Sequence, residues 1–277
     1  MSKEKLILGT AQFGTNYGVT NIWGQIGKEE IKSIESVCKK NEVMTLDTAE
    51  SYGSAHNVIG EIFDENYQVI TKIKVENDLN IKLKKILKIL KRDRLHALLI
   101  HDENQINVEN LSYLKELKQQ GFTDKIGISV YDILNLTDKS VLGLVDIIQL
   151  PINAFSISPM LIDKLKFFKR FGIELHARSI FLQGIILQET SNLPEYFKKW
   201  ENIFKKFQLM ANSLDVSKIQ LAFSYVNSIK EVDKIVVGIA SKEQLVEILD
   251  LNKNFKVSGF LNEEENTDLV DPRSWKI

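Results

Sequence analysis

The chain has 277 residues, 44% of them apolar and 26% charged, with 36 Lys and Arg against 37 Asp and Glu. That length suits one large domain or two small ones, and the composition supports a substantial core. The near-cancelled charge excludes the basic excess of a general nucleic-acid or acidic-membrane binder. Cys38 is the single cysteine, which excludes an intrachain disulfide and a thiolate metal cluster.

Short apolar runs alternate with longer amphipathic stretches in chain order. The runs are Leu6–Leu8, Val43–Leu46, Val69–Thr71, Ala97–Ile100, Lys125–Ile128, Val145–Leu150, Ile173–Leu175 and Ile235–Val237. Continuous rather than alternating hydrophobicity marks strands of a parallel sheet, whose two faces are both covered. Between the runs lie helical patterns. Ile31, Ile34 and Cys38 share one face, Leu79, Leu83, Ile86, Leu87 and Leu90 form an apolar stripe, and Leu111, Leu114 and Leu117 repeat at helical spacing. The lysines between Lys82 and Lys91 fall outside that stripe and read as a solvated helix face. Strand-then-helix units repeated eight times predict an α/β protein, a closed (β/α)8 TIM barrel or a large doubly wound sheet. No Pro- or Gly-rich linker divides the chain, so residues 1–277 read as one domain with 251–277 as a C-terminal extension.

The chemistry gathers where the early strands end. Asp47 follows the second run, with Tyr52 in the loop behind it; Lys72 follows the third and His101 the fourth. In a barrel these ends surround one mouth. A carbonyl that accepts hydride needs a proton at its oxygen. Tyr52 can give it, Lys72 held by Asp47 would ease ionisation of the phenol, and His101 would orient the carbonyl. His176 and Arg178 lie two residues apart and are placed to face the same mouth, His176 with a structural role equally open. His56 and His96 read as surface residues. No histidine spacing suits a metal, so none is expected.

These landmarks resemble the aldo-keto reductases. The resemblance rests on Leu8-Gly9-Thr10-Ala11-Gln12-Phe13-Gly14, on Asp47-Thr48-Ala49 leading to Tyr52-Gly53, and on Ile100-His101-Asp102. It continues through Gly127-Ile128-Ser129, Gln149-Leu150-Pro151, and Val237-Gly238 with Ser241 to Leu245. It implies a TIM barrel, NAD(P)H-dependent carbonyl reduction, and the catalytic tetrad Asp47, Tyr52, Lys72 and His101. It further implies cofactor contacts from Gly9, Thr10, Ala11 and Asp47, with Ser129 and Gln149 on the nicotinamide carboxamide. Ser179, Phe181 and Gln183 would line the cofactor channel.

The sequence departs from the family at two positions. Val130 stands where an Asn is common, and Arg178 where an aromatic ring often stacks on the nicotinamide. A guanidinium plane can stack on a flat ring too, but its charge disfavours the oxidised, cationic form.

Gly238 leads into a capping-box pattern, Ser241 with Gln244 three residues on. A helix starting there would offer N–H groups and a positive dipole end to the adenosine half of the cofactor. Lys242 tilts the expectation towards NADPH, with Glu243 opposing it and NADH still open. No Gly-x-Gly-x-x-Gly turn of a Rossmann site is present.

The expected partner is a small carbonyl compound, with neither nucleic acid nor membrane; oligomeric state and substrate are not readable. The loops 16–27 and 183–193 are candidates for substrate contact, with Trp23 and Trp275 either at the opening or simply packed. The start, Met1-Ser2-Lys3-Glu4-Lys5, lacks a signal peptide's apolar stretch, so cytoplasm is expected. Two other readings compete: a cofactor-binding regulatory or scaffold protein with little turnover, and a cofactor-free isomerase or lyase on the same fold.

Overall fold

Eight parallel strands, each paired to the next, close into a barrel because β1 also pairs with β8. They are β1 (Leu6–Gly9), β2 (Thr45–Ala49), β3 (Gln68–Ile73), β4 (Leu95–Ile100), β5 (Thr123–Ser129), β6 (Ile147–Pro151), β7 (Glu174–Arg178) and β8 (Lys234–Gly238). The computed structural model describes residues 5–131, 133–134, 136–257 and 267–276. Part of the expected extension, residues 258–266 and 277, therefore lies outside the described residues. The expected (β/α)8 architecture is the one observed.

The helices follow the strands. Those used below are α1 (Lys28–Lys40), α2 (Ala55–Ile62), α3 (Leu79–Leu90) and α4 (Val108–Gln119). After β5 the connection shortens to the single turn α5 (Lys139–Leu142). Then come α6 (Pro159–Lys169), the pair α7 (Glu201–Ser213) and α8 (Lys218–Asn227), and α9 (Lys242–Asp250). Their apolar faces are those the spacing predicts: Ile31, Ile34 and Cys38 of α1 are buried, as are all five residues of the α3 stripe. Side-chain caps start several of them. Asn107 accepts from the N–H of Asn110, and Ser158 from that of Leu161, with Pro159 preset for the first turn.

Two apolar cores result. The larger lies between strands and helices, while Ile7, Ile70, Ala97, Leu99, Ile147 and Val236 fill the barrel itself. At roughly 1.5–3 kcal/mol per large side chain buried, both make the strand positions rigid supports. Below the inner core a polar group sits in the barrel floor: Glu174 receives bonds from Lys125 and from His176, whose Nε2 lies 2.8 Å away. His176 is therefore a buried structural residue of the barrel interior and does not reach the mouth.

Two further expectations need correcting. His56 is buried, its Nε2 2.9 Å from the hydroxyl of Thr71, because α2 turns it against β3 rather than outward. His96 is half-buried. Among the described residues no helix is long and apolar enough to cross a membrane.

Candidate active site

Strands run further than the apolar runs suggest, and this places the charged groups inside the barrel. Asp47 is a central residue of β2 and Lys72 lies within β3; both are almost fully buried. The register sets Ala49 against Lys72 and Gly9 against Asp47. Lys72 Nζ donates to Asp47 Oδ1, and Gln149 Nε2 donates to Asp47 Oδ2 at 2.7 Å. A buried ion pair survives only when its remaining lone pairs are met, and Gln149 does this for Asp47. Burial lowers the Lys72 pKa while Asp47 opposes that shift.

Tyr52 reaches this pair from the loop after β2. Two glycines seat that loop. A Cβ on Gly14 would lie 1.9 Å from the Tyr52 carbonyl, and one on Gly53, at φ +52°, would lie 2.3 Å from the Gly14 carbonyl. Only bare backbone permits this contact, which explains the two glycines of the sequence motifs. The Lys72 ammonium is 5.2 Å from the Tyr52 ring centre. His101, the first residue after β4, stands edge-on to the phenol with ring centres 6.2 Å apart, and Ser51 Oγ is 3.4 Å from its Nδ1.

The electrostatics differ from the expectation that Lys72 eases ionisation of Tyr52. Burial raises the phenol pKa well above its ordinary value, Asp47 and Tyr131 raise it further, and Arg178 opposes them. Lys72 is paired to Asp47, so its ammonium does not prevail over burial. Tyr52 thus keeps its proton throughout the neutral range. Burial, followed by the charges of Lys72 and Arg178, brings the His101 pKa down to about 4, so its imidazole is neutral.

These groups open on a cleft of about 470 Å³. Asp47, Tyr52, Lys72 and His101 line it together, as the sequence predicts, joined by Gly9, Thr10 and Ala11 from the end of β1. Ser129, Arg178, Ser179, Phe181 and Gln183 form one wall, and Gly238 and Gln244 the far end. Gln149 lies beneath, bonded to Asp47, with its Oε1 buried and unpartnered. Val130 packs in the outer core, and only its carbonyl serves the site, accepting from Arg178 Nη2 at 3.2 Å. Loops 16–27 and 183–193 meet over the cleft, where Thr20 Oγ1 donates to the Gln183 carbonyl at 3.0 Å. Trp23 lines the opening and is 75% exposed. Trp275 instead packs edge-on against Phe197 with ring centres 5.0 Å apart.

Ser241 and Lys242 do not line the cleft. Ser241 Oγ caps α9 by accepting from the Gln244 N–H at 3.3 Å, and Gln244 Oε1 accepts from the Ala240 N–H at 2.7 Å. The Lys242 N–H donates to Glu30 Oε1 at 2.6 Å. A carboxylate of the chain itself therefore sits where the sequence suggests a phosphate.

Residues that the sequence reading left unassigned include Gln12, whose Oε1 is buried without a partner against bare Gly238, and Tyr131, stacked on Arg178. Gln12 falls inside the Leu8–Gly14 motif, which was a usable signal; Tyr131 carried none. Among the described residues no cluster of three or more His, Cys, Asp or Glu side chains could hold a metal ion.

Residues 5–260 match the Aldo/keto reductase family. The fold is shared with the aldo-keto reductase AKR11C1 from Bacillus halodurans in its holo form, at 17% identity and TM-score 0.73, covering 92% of this chain and 88% of that one. It is also shared with the glycerol dehydrogenase AKR11B4 from Gluconobacter oxydans, at 17% identity, TM-score 0.68 and coverage of 92% and 88%. The thermostable aldo-keto reductase Tm1743, bound to the inhibitor epalrestat, aligns at 22% identity and TM-score 0.68 over 92% of this chain and 91% of its own. No curated protein matches the sequence. With the family match spanning nearly the whole barrel, the chain belongs to the aldo-keto reductase family.

Proposed function

We propose that the chain reduces an aldehyde or ketone to an alcohol, with Tyr52 as the general acid, on a single barrel domain. Bound in the cleft, a reduced nicotinamide dinucleotide supplies the hydride, in keeping with the carbonyl oxidoreduction that family membership implies. The observation that carries the reading is the Tyr52 phenol, without a hydrogen-bond partner among the described residues, lining one cleft with His101 and the buried Lys72–Asp47 pair.

Each residue then has a physical task. Tyr52 gives its proton to the carbonyl oxygen as negative charge builds there, and the resulting phenolate faces Lys72. Asp47 keeps Lys72 in place, so little reorganisation is needed when that charge appears. With Nδ1 of His101 turned to Ser51, Nε2 is left to donate to the same oxygen and fix its direction. General-acid help of this kind is worth roughly 10²–10⁴ in rate.

The residues present fit a nicotinamide dinucleotide. Gln149 Oε1 is a buried acceptor without a donor, suited with Ser129 to the carboxamide, and Gly9, Thr10, Ala11 and Gly238 let backbone approach closely. Ser179, Phe181 and Gln183 give the wall, and the face of Arg178 not covered by Tyr131 is the one left for the nicotinamide ring. Gln244 would meet the adenosine end, with Ser241 and Lys242, outside the cleft lining, forming the start of its helix. There the chain favours NADH over the NADPH that Lys242 alone suggests. Glu30 holds the first N–H of α9, Glu243 lies 3.8 Å from the Lys242 ammonium, and Glu247 lines the cleft. Carboxylates accept from a ribose hydroxyl and repel a 2′-phosphate.

Replacing Tyr52 by Phe tests the assignment. Carbonyl turnover should fall by about 10²–10⁴ while the dissociation constant for NADH or NADPH stays within about twofold. Cofactor binding without turnover in the wild type would favour the regulatory reading, and failure to bind either cofactor would favour a cofactor-free enzyme.

A further inference from the structure

Of the charged side chains that line the cleft, Glu247 is the one acid and Arg178 the one cation without an ion pair among the described residues. Lys72 is bonded to Asp47, and His101 is neutral. Arg178 faces the same space without an ion pair among the described residues. A guanidinium has five N–H donors. Here Nη1 donates to Ser179 Oγ at 3.4 Å and Nη2 to the Val130 carbonyl at 3.2 Å, both longer than the usual ~2.9 Å. The remaining three donors have no acceptor among the described residues.

The chain nonetheless spends several residues on holding this cation still. Tyr131 lies under it, 4.0 Å from the guanidinium carbon to the ring centre. Beneath Tyr131 a second guanidinium, Arg273 of the C-terminal segment, stacks at 4.1 Å. Arg273 is gripped by Asp271 at 2.6 Å and by Glu103 at 2.5 Å, and Glu103 also accepts the Tyr131 N–H. Of two arginines on one ring, the outer has two carboxylates and the inner, cleft-facing one has none. Arg178 lines the same cleft of about 470 Å³ as Tyr52, Lys72 and His101, so one small molecule can meet both the phenol and the guanidinium.

Resting on the reductase reading of Tyr52, we infer that the carbonyl substrate carries an anionic group, a carboxylate or a phosphoryl, received by the unpaired N–H donors of Arg178. The planar fork matches either oxyanion, and the Tyr131–Arg273 stack keeps it oriented before the substrate arrives.

Two matched pairs test this: succinic semialdehyde against its amide, and glyceraldehyde phosphate against glyceraldehyde. The readout is the ratio of kcat/KM, anionic over neutral, within one protein, so that any effect on cofactor binding cancels. In the wild type at least one ratio should be about tenfold or more, as a charge-assisted bond implies; the pair that shows it tells carboxylate from phosphoryl. Arg178→Gln should bring that ratio close to one, and Arg178→Lys, which keeps the charge without the fork, should retain part of it. Ratios near one in the wild type, or a ratio that Arg178→Gln leaves unchanged, overturn the inference. If none of the four carbonyls consumes NADH or NADPH, the reductase reading is the one that fails. Calorimetry with succinate and with inorganic phosphate on the unloaded protein then decides the anion site alone. Binding that is lost in Arg178→Gln supports it, and binding that is equal in both proteins or absent from both refutes it.

Discussion

Around Asp47 the chain buries charge and pairs it, whereas at the start of α9 it leaves charge in solvent and satisfies the helix end with its own side chains. The first region is made of strand positions: Asp47, Lys72 and Gln149 lie in β2, β3 and β6, held by the register of the sheet. The second is made of loop and helix-end residues, among which Lys242 is half exposed and Glu30 reaches in from α1. Under the proposed function, preorganisation is strong where the proton would move and weak where the cofactor would be gripped and released. A buried network tolerates no missing member; a surface site can exchange one partner for another.

The contrast breaks most visibly at Lys72. Lys72→Met leaves the Asp47 carboxylate buried with only Gln149 to meet it, and an uncompensated buried charge costs about 3–5 kcal/mol. Thermal denaturation should show a large fall in Tm, and a Tm within a degree or two of the wild type would mean that the pair is not structural. At the other region the effect is smaller and lies in ligand choice. Glu30→Gln should raise affinity for NADPH relative to NADH by about tenfold, read by calorimetry, since about 1.4 kcal/mol of repulsion is removed. An unchanged ratio would place the 2′ position elsewhere.

Acid should separate the two regions by stability. Burial holds the His56 pKa down at about 4 against an ordinary 6.5, and His101 is lowered likewise. Between those values the unfolded chain binds more protons than the folded one, so stability is complete above pH 6.5 and is lost as pH falls towards 4. Tm measured across that window should drop, and His56→Gln should make the slope shallower. The smallest effect is expected at the clasp over the cleft. Thr20→Val removes one hydroxyl bond to the Gln183 carbonyl, about 1 kcal/mol, and should speed cofactor release without changing the Tyr52 pH profile.

The difference between the regions also explains what the sequence could disclose. Eight apolar runs were enough for the barrel, because parallel strands covered on both faces leave a continuous pattern. The strand ends were misjudged at Asp47 and Lys72, since a charged residue reads as the end of an apolar run unless its buried partner is known. The convergence of Asp47, Tyr52, Lys72 and His101 on one cleft was legible because each follows one run closely. His56 was not, as its partner Thr71 becomes a neighbour only when α2 packs on β3, whereas Glu174 stands two residues from His176 on the same face of β7, a pairing that strand alternation alone could have offered. Glu30 and Lys242 stand 212 residues apart, and no local pattern announces that one caps the other. The same holds for the stack of Arg178, Tyr131 and Arg273, drawn from three distant segments.

The decisive measurement is the fate of the hydrogen. With NADH deuterated at the transferable position of the nicotinamide, mass spectrometry should find one deuterium on the former carbonyl carbon of the alcohol made by the wild type. Tyr52→Phe should yield almost no alcohol under the same conditions. An unlabelled alcohol, or equal labelled product from the variant, would contradict hydride transfer assisted by Tyr52.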